Sequence, residues 1–207
     1  AYTEGERAHV TERSMAEITQ ELTAPGAPLE LEVRVIRGVP TRCWKTLPAT
    51  VPQLLTYCEQ FHDRDYLVYE DERLTYAEAF ARVRTLAAHL QAEYGVQKGD
   101  RVALAMRNFP EWVISFWAVL STGAIVVPLN AWWKSAELVY GLRDSGSKVL
   151  LCDEERLQLV AAELGATPVK HVLVARAQER EQPPLSSVAV DAMEHVLNGA
   201  ARQPLPV

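Results

Sequence analysis

Cysteine is scarce and scattered. Cys43, Cys58 and Cys152 lie too far apart for a Cys-x-x-Cys metal or redox site, and an odd number does not make a disulfide framework. A reduced, cytosolic setting is the expectation. Positive charge is also short: 21 Lys and Arg stand against 27 Asp and Glu, for a net charge of −6 with no basic patch. That balance disfavours nucleic acid or an anionic membrane as a long-range partner. No Gly-x-Gly-x-x-Gly fingerprint, His-Glu-x-x-His zinc motif or Gly-x-Ser-x-Gly elbow occurs. His9, His62, His89, His171 and His195 stand singly, so no metal site and no catalytic residue is assigned. The start of the chain lacks the basic end and apolar centre of a secretion signal.

A long uncharged run is present over 112–133, where about 20 apolar residues would span a bilayer. A transmembrane reading is rejected. Ser121-Thr122-Gly123 makes a helix end, Ile125-Val126-Val127 favours extended backbone, and Pro128 cannot donate to a helix ladder. The helix is apolar nearly all round, as one sandwiched between a sheet and further structure must be. If that further structure is missing, the chain is expected to self-associate.

The stretch 74–151 organises the rest. Thr75 and Glu78 form a capping box opening a helix at Tyr76, whose apolar positions Tyr76, Phe80, Val83, Ala87, Leu90 and Tyr94 repeat at helical spacing until Gly95. Tyr66–Tyr69 and Leu74-Thr75-Tyr76, around a charged turn, predict a hairpin. Gly99 to Met106 reads as a strand, Pro110-Glu111-Trp112 starts a helix, 124–130 is a second buried strand, and 148–152 a third. Between the last two, Ser135 is the expected helix cap. Helices are further expected over 50–61, capped by Thr50, over 154–164, and over 190–197; 171–174 is another strand. The segment 31–36 alternates like an edge strand that ends at Gly38 and Pro40. The fold class is therefore α/β, a parallel or mixed sheet with helices on both faces. Boundaries are expected as a loose arm over 1–30, a partial domain over 31–177, and a linker with a truncated continuation over 178–207. Met15 could be a natural start.

Gly141 to Lys148 loosely resembles a phosphate loop, but a helix precedes it and a strand follows, the reverse of what anion binding at a helix N-terminus needs. It reads as a turn.

The order Leu74-Thr75-Tyr76, Gly99-Asp100-Arg101-Val102, Pro110-Glu111-Trp112, Ser121-Thr122-Gly123-Ala124 and Pro128-Leu129-Asn130 resembles the front part of an acyl-CoA synthetase of the adenylate-forming superfamily. The resemblance covers about 36–174. It implies that a small carboxylic acid, by the two-tryptophan turn a medium- or long-chain fatty acid, is activated with ATP and Mg2+ to an acyl-adenylate and passed to CoA. The Ser/Thr/Gly-rich phosphate loop, the ribose-binding carboxylate and the mobile C-terminal domain with its Lys are not found in these residues. An N-terminal fragment, inactive alone, is the expectation; the alternatives are a noncatalytic ligand- or partner-binding remnant and an unrelated doubly wound binding domain. Asn130, Trp132 and Trp133 follow the end of a strand, where open α/β sheets bind ligands, and are the candidate substrate-binding residues. Packing is the competing role for both indoles.

Overall fold

A computed structural model describes residues 13–177 and 188–198. The chain divides into two compact units, Ala1–Thr50 and Val51–Val207. The start of the expected arm, most of the 178–207 linker and the Pro-containing end lie outside the described residues.

In the first unit the expected arm contains a helix, α1 (Met15–Thr23). The overlooked signal is Ser14-x-x-Glu17: the Ser14 hydroxyl accepts from the Glu17 N–H at 3.2 Å, and the Glu17 carboxylate accepts from the Ser14 N–H at 2.8 Å. Strand β1 (Leu31–Ile36) then pairs antiparallel with β2 (Val39–Trp44), and with no other described strand. It is an edge strand as expected, in a two-stranded hairpin of its own. The strand ends at Ile36 as expected, where Arg37 and Gly38, at φ 50° and 83°, form the tight two-residue turn that reverses the chain, while Pro40 lies within β2.

The second unit opens with α2 (Gln53–Cys58), continued by a short turn of 3-10 helix, Glu59–Phe61. Pro52, not Thr50, holds the N-cap position, and Leu55 and Cys58 reach the core while Leu54 is exposed. The hairpin β3 (Asp65–Tyr69) and β4 (Glu72–Thr75) leads directly into α3 (Tyr76–Ala92). The Thr75–Glu78 capping box is present, with N–H to oxygen distances of 3.2 and 2.8 Å. Gly95 adopts φ 62° beyond the helix end.

A five-stranded parallel sheet follows. Its strands are β5 (Arg101–Ala105), β6 (Ile125–Pro128), β7 (Val149–Asp153), β8 (His171–Ala175) and β9 (Ala189–Ala192), in the order β6-β5-β7-β8-β9. Successive residues of a strand face opposite sides, so Val102, Leu104, Val149, Leu151 and Leu173 enter one core while Ala103, Ala105, Leu150, Cys152 and Val172 enter the other. The first core takes α3, α4 (Pro110–Ser121) and α7 (Met193–Leu197); the second takes α5 (Ser135–Ser145) and α6 (Glu154–Val160). Helices therefore cover both faces.

No large apolar side chain of α4 is exposed. Ile114, Ala118 and Val119 are buried, Trp112, Phe116 and Trp117 pack around them, and the Trp117 indole donates to the Tyr66 hydroxyl at 2.9 Å. An uncovered α4, the reason given for self-association, is thus not what the chain presents. No helix among the described residues is long and apolar enough to cross a membrane.

Three boundaries need correction. Ser135 is the first helical residue of α5, not its cap; Lys134 holds that position, its N–H donating to Glu137 at 2.9 Å. Helix α6 stops at Val160, and a 3-10 turn, Leu164–Ala166, sets Leu164 fully into the core. The helix expected over 190–197 divides into β9 and α7, because Ala189–Ala192 finds a parallel partner in β8 that periodicity could not reveal. The Gly141–Lys148 segment is a turn as expected: Gly146 ends α5 at φ 64°, and Lys148 Nζ binds Asp100 at 2.7 Å.

Candidate functional site

The chain leaves β5 for β6 on one side, then returns past β5 to β7 on the other. Such a reversal of strand order opens a crevice beyond the carboxyl ends of β5 and β7. A cavity of about 660 Å³ lies there, walled by Arg107 and Phe109 after β5, Trp132 after β6, Asp153 at the end of β7, Arg156 beyond it, and Arg176 after β8.

Two clusters shape its wall. Asp153 ends β7 and caps α6, its carboxylate accepting from the Arg156 N–H at 3.0 Å and from the Arg107 N–H at 2.9 Å. The Arg156 guanidinium returns to that carboxylate at 3.2 Å, and its Nε donates to the Ala131 carbonyl at 2.8 Å. One buried pair thereby fastens the chain segments that follow β5, β6 and β7. Beyond β8, Arg176 at φ 54° donates to Glu111 at 3.2 Å and to Glu72 at 2.9 Å, with its guanidinium over the Tyr69 and Phe109 rings. Burial works against its charge, but the two carboxylates outweigh it and hold the arginine protonated.

Arg107 is different. Its guanidinium lies 4.0 Å over the Trp132 ring and makes no hydrogen bond or ion pair among the described residues. Its N–H groups remain available to an anion, with an aromatic plane beside them. Besides the three arginines, the residues lining the cavity include the carboxylates Asp153, Glu154 and Glu155 and the aromatic rings of Tyr69, Phe109 and Trp132.

Of the three sequence candidates, Trp132 alone lines the cavity. It is 73% exposed. Asn130 builds the turn: its side chain accepts from the Trp132 N–H at 2.9 Å and its carbonyl from the Trp133 N–H at 3.0 Å. Trp133 packs against the second core, so close to Gly141 that a Cβ there would stand 3.2 Å from the indole. Sequence reading missed Arg107, Asp153, Arg156 and Arg176. Only Asp153 had a local signal, as a cap between a strand and a helix.

The model of the AMP-binding enzyme family matches residues 54–204. The chain belongs to this family. Among curated relatives, this AMP-binding enzyme chain is 33% identical over 117 residues to a long-chain-fatty-acid–CoA ligase of Yersinia pestis, covering 56% of this chain and 21% of the relative. It is 38% identical over 103 residues to the corresponding ligase of Bacillus subtilis, covering 49% and 18%. The chain thus spans about a fifth of the length of these relatives. The fold matches an anthranilate CoA ligase solved with anthranoyl-AMP at a TM-score of 0.67 and 22% identity, over 78% of this chain and 30% of that one. A long-chain-fatty-acid–CoA ligase from Archaeoglobus fulgidus matches at 0.64 and 20%, over 76% and 31%.

Proposed function

We propose that this chain is the N-terminal part of an AMP-forming acid–CoA ligase. The enzyme would join a carboxylate to the α-phosphate of ATP, releasing pyrophosphate, and then pass the acyl group to the thiol of CoA, releasing AMP. A medium- or long-chain fatty acid is the proposed substrate, supported by the names of the relatives. Mg2+ would arrive on the ATP phosphates, which supply the hard oxygen ligands it prefers; among the described residues no group of three or more His, Cys, Asp or Glu could hold a metal ion. The proposed setting is the cytoplasm, and the proposed organisation is a partial domain over 31–177 followed by a linker and continuation.

The observation that carries the site assignment is the Arg107–Trp132 stack at the strand-order reversal, where a free guanidinium and an exposed indole suit an anionic, ring-bearing substrate. The turn Asn130-Ala131-Trp132-Trp133 is proposed to hold that wall in place. The resemblance implies a phosphate loop and a catalytic Lys outside these 207 residues, and positioning with charge stabilisation supplies most of the rate in phosphoryl chemistry. The chain alone is therefore proposed to be inactive. Acid-dependent pyrophosphate release from ATP tests this: the purified chain should match a heat-killed control, whereas a protein continuing this chain through the phosphate loop should turn over and need CoA to release AMP. Turnover by the chain alone overturns the division of labour, and failure of the longer protein overturns the ligase reading.

A further inference from the structure

We propose that the β1–β2 hairpin docks on an anionic lipid surface. Opposed residues of a hairpin share a face, so Leu31, Val33 and Val35 lie on one side with Trp44, Arg42 and Pro40. Val33, Val35 and Trp44 are 67%, 72% and 46% exposed. At the tip, Ile36 and Val39 flank the Arg37-Gly38 turn and are exposed as well. Val33, Val35 and Trp44 expose one face while Ile36 and Val39 expose the other, so the end of the hairpin is apolar on both sides, a feature that marks an interaction site.

Charge selects the occupant. Residues 31–45 carry Arg34, Arg37, Arg42 and Lys45 against one acid, Glu32, in a chain of net charge −6. Arg34 pairs with Glu32, and Lys45 with Glu30 at 2.8 Å. The guanidinium groups of Arg37 and Arg42 have no hydrogen bond or ion pair among the described residues. A second copy docked hairpin to hairpin would set one basic hairpin against another, since a two-fold interface uses the same patch on both copies. An anionic bilayer satisfies both halves of the surface: the aliphatic tip enters the acyl boundary, Trp44 sits at the interface, and the arginines reach lipid phosphates. The overall negative charge, which argues against such a partner at long range, is screened beyond about 8 Å, so the local basic hairpin governs contact. The inference does not depend on the acid substrate proposed above.

Flotation of the whole chain with phosphatidylcholine vesicles, with and without phosphatidylglycerol, tests it. Binding is expected only with the anionic lipid. Arg42→Glu should weaken it about fivefold or more, and Val35→Asp by about tenfold or more. Lipids brominated in the acyl chain should quench tryptophan emission, and Trp44→Phe should remove most of that quench. Arg42 is a surface residue, so its variant keeps the test valid where Val35→Asp fails to fold. No binding to anionic vesicles, binding unaltered by Arg42→Glu, or a quench that survives Trp44→Phe overturns the proposal. A dimer that Val35→Asp dissociates, with no vesicle binding, overturns it in favour of a second copy.

Discussion

Arg156 donates from Nη1 to both carboxylate oxygens of Asp153, at 3.3 and 3.2 Å, with side chains only 3% and 7% exposed. Replacing a buried pair with apolar groups can be neutral, but removing one partner strands a buried charge and costs about 3 to 5 kcal/mol. Arg156→Met should therefore destabilise the chain by about 3 kcal/mol or more in urea unfolding. A loss under about 1 kcal/mol would show that the pair does not fasten the strand ends.

The two indoles should separate cleanly. Trp132→Ala removes a side chain 73% exposed and should change stability by less than about 0.5 kcal/mol. Trp133→Ala opens the second core beside Leu129 and Gly141, at a cost of about 2 to 4 kcal/mol. Thermal melts of both variants check this; equal behaviour would contradict the division between cavity wall and core.

Arg107 is expected to act on ligand affinity rather than folding. In a protein continuing this chain through the catalytic part, Arg107→Ala should raise KM for CoA or ATP about 10- to 100-fold, the worth of a charge-assisted hydrogen bond. The melting temperature should stay nearly constant. A drop in melting temperature with unaltered KM would assign the Arg107–Trp132 stack to structure.

His89 should make the fold sensitive to mild acid. Burial holds its pKa below the ordinary histidine value, with Asp191 and Glu93 acting in the opposite sense and His171 adding to the depression. Its ring also meets the Tyr94 ring edge-on at 4.7 Å, and the Tyr94 hydroxyl donates to Asp191 at 2.6 Å. The native state thus resists the proton that the unfolded chain accepts. The stability His89 contributes is full above about pH 6.5 and is lost as pH falls through the lower native value. Between about pH 8 and pH 5, His89→Phe should flatten the fall in melting temperature. An unchanged slope would place the sensitivity elsewhere.

Much of the fold is legible in sequence because its signals are local. The Thr75–Glu78 cap, the helical spacing of Phe80, Val83, Ala87 and Leu90, and the apolar run after Gly123 each depend on residues within a turn or two. Where the reading failed, the decisive partner was distant. Val190 could be helix or strand by periodicity, and only the free edge of β8 made it a strand. The segment 31–36 was recognisable as a strand, but not as the first half of a hairpin, because Arg37 had to take a positive φ that composition does not announce.

By itself, the sequence determined the α/β class, the helix-to-strand order from Tyr76 to Val174 and a family resemblance that the match over 54–204 bears out. These follow from periodicity, caps and turns, which act over a few residues. Tertiary structure alone decided which strands adjoin, and so where the order reverses and a cavity opens. It also brought Arg107 onto Trp132, and Arg176 onto Glu72 and Glu111, residues up to 104 positions apart, because no local propensity encodes a contact that exists only once the sheet has formed.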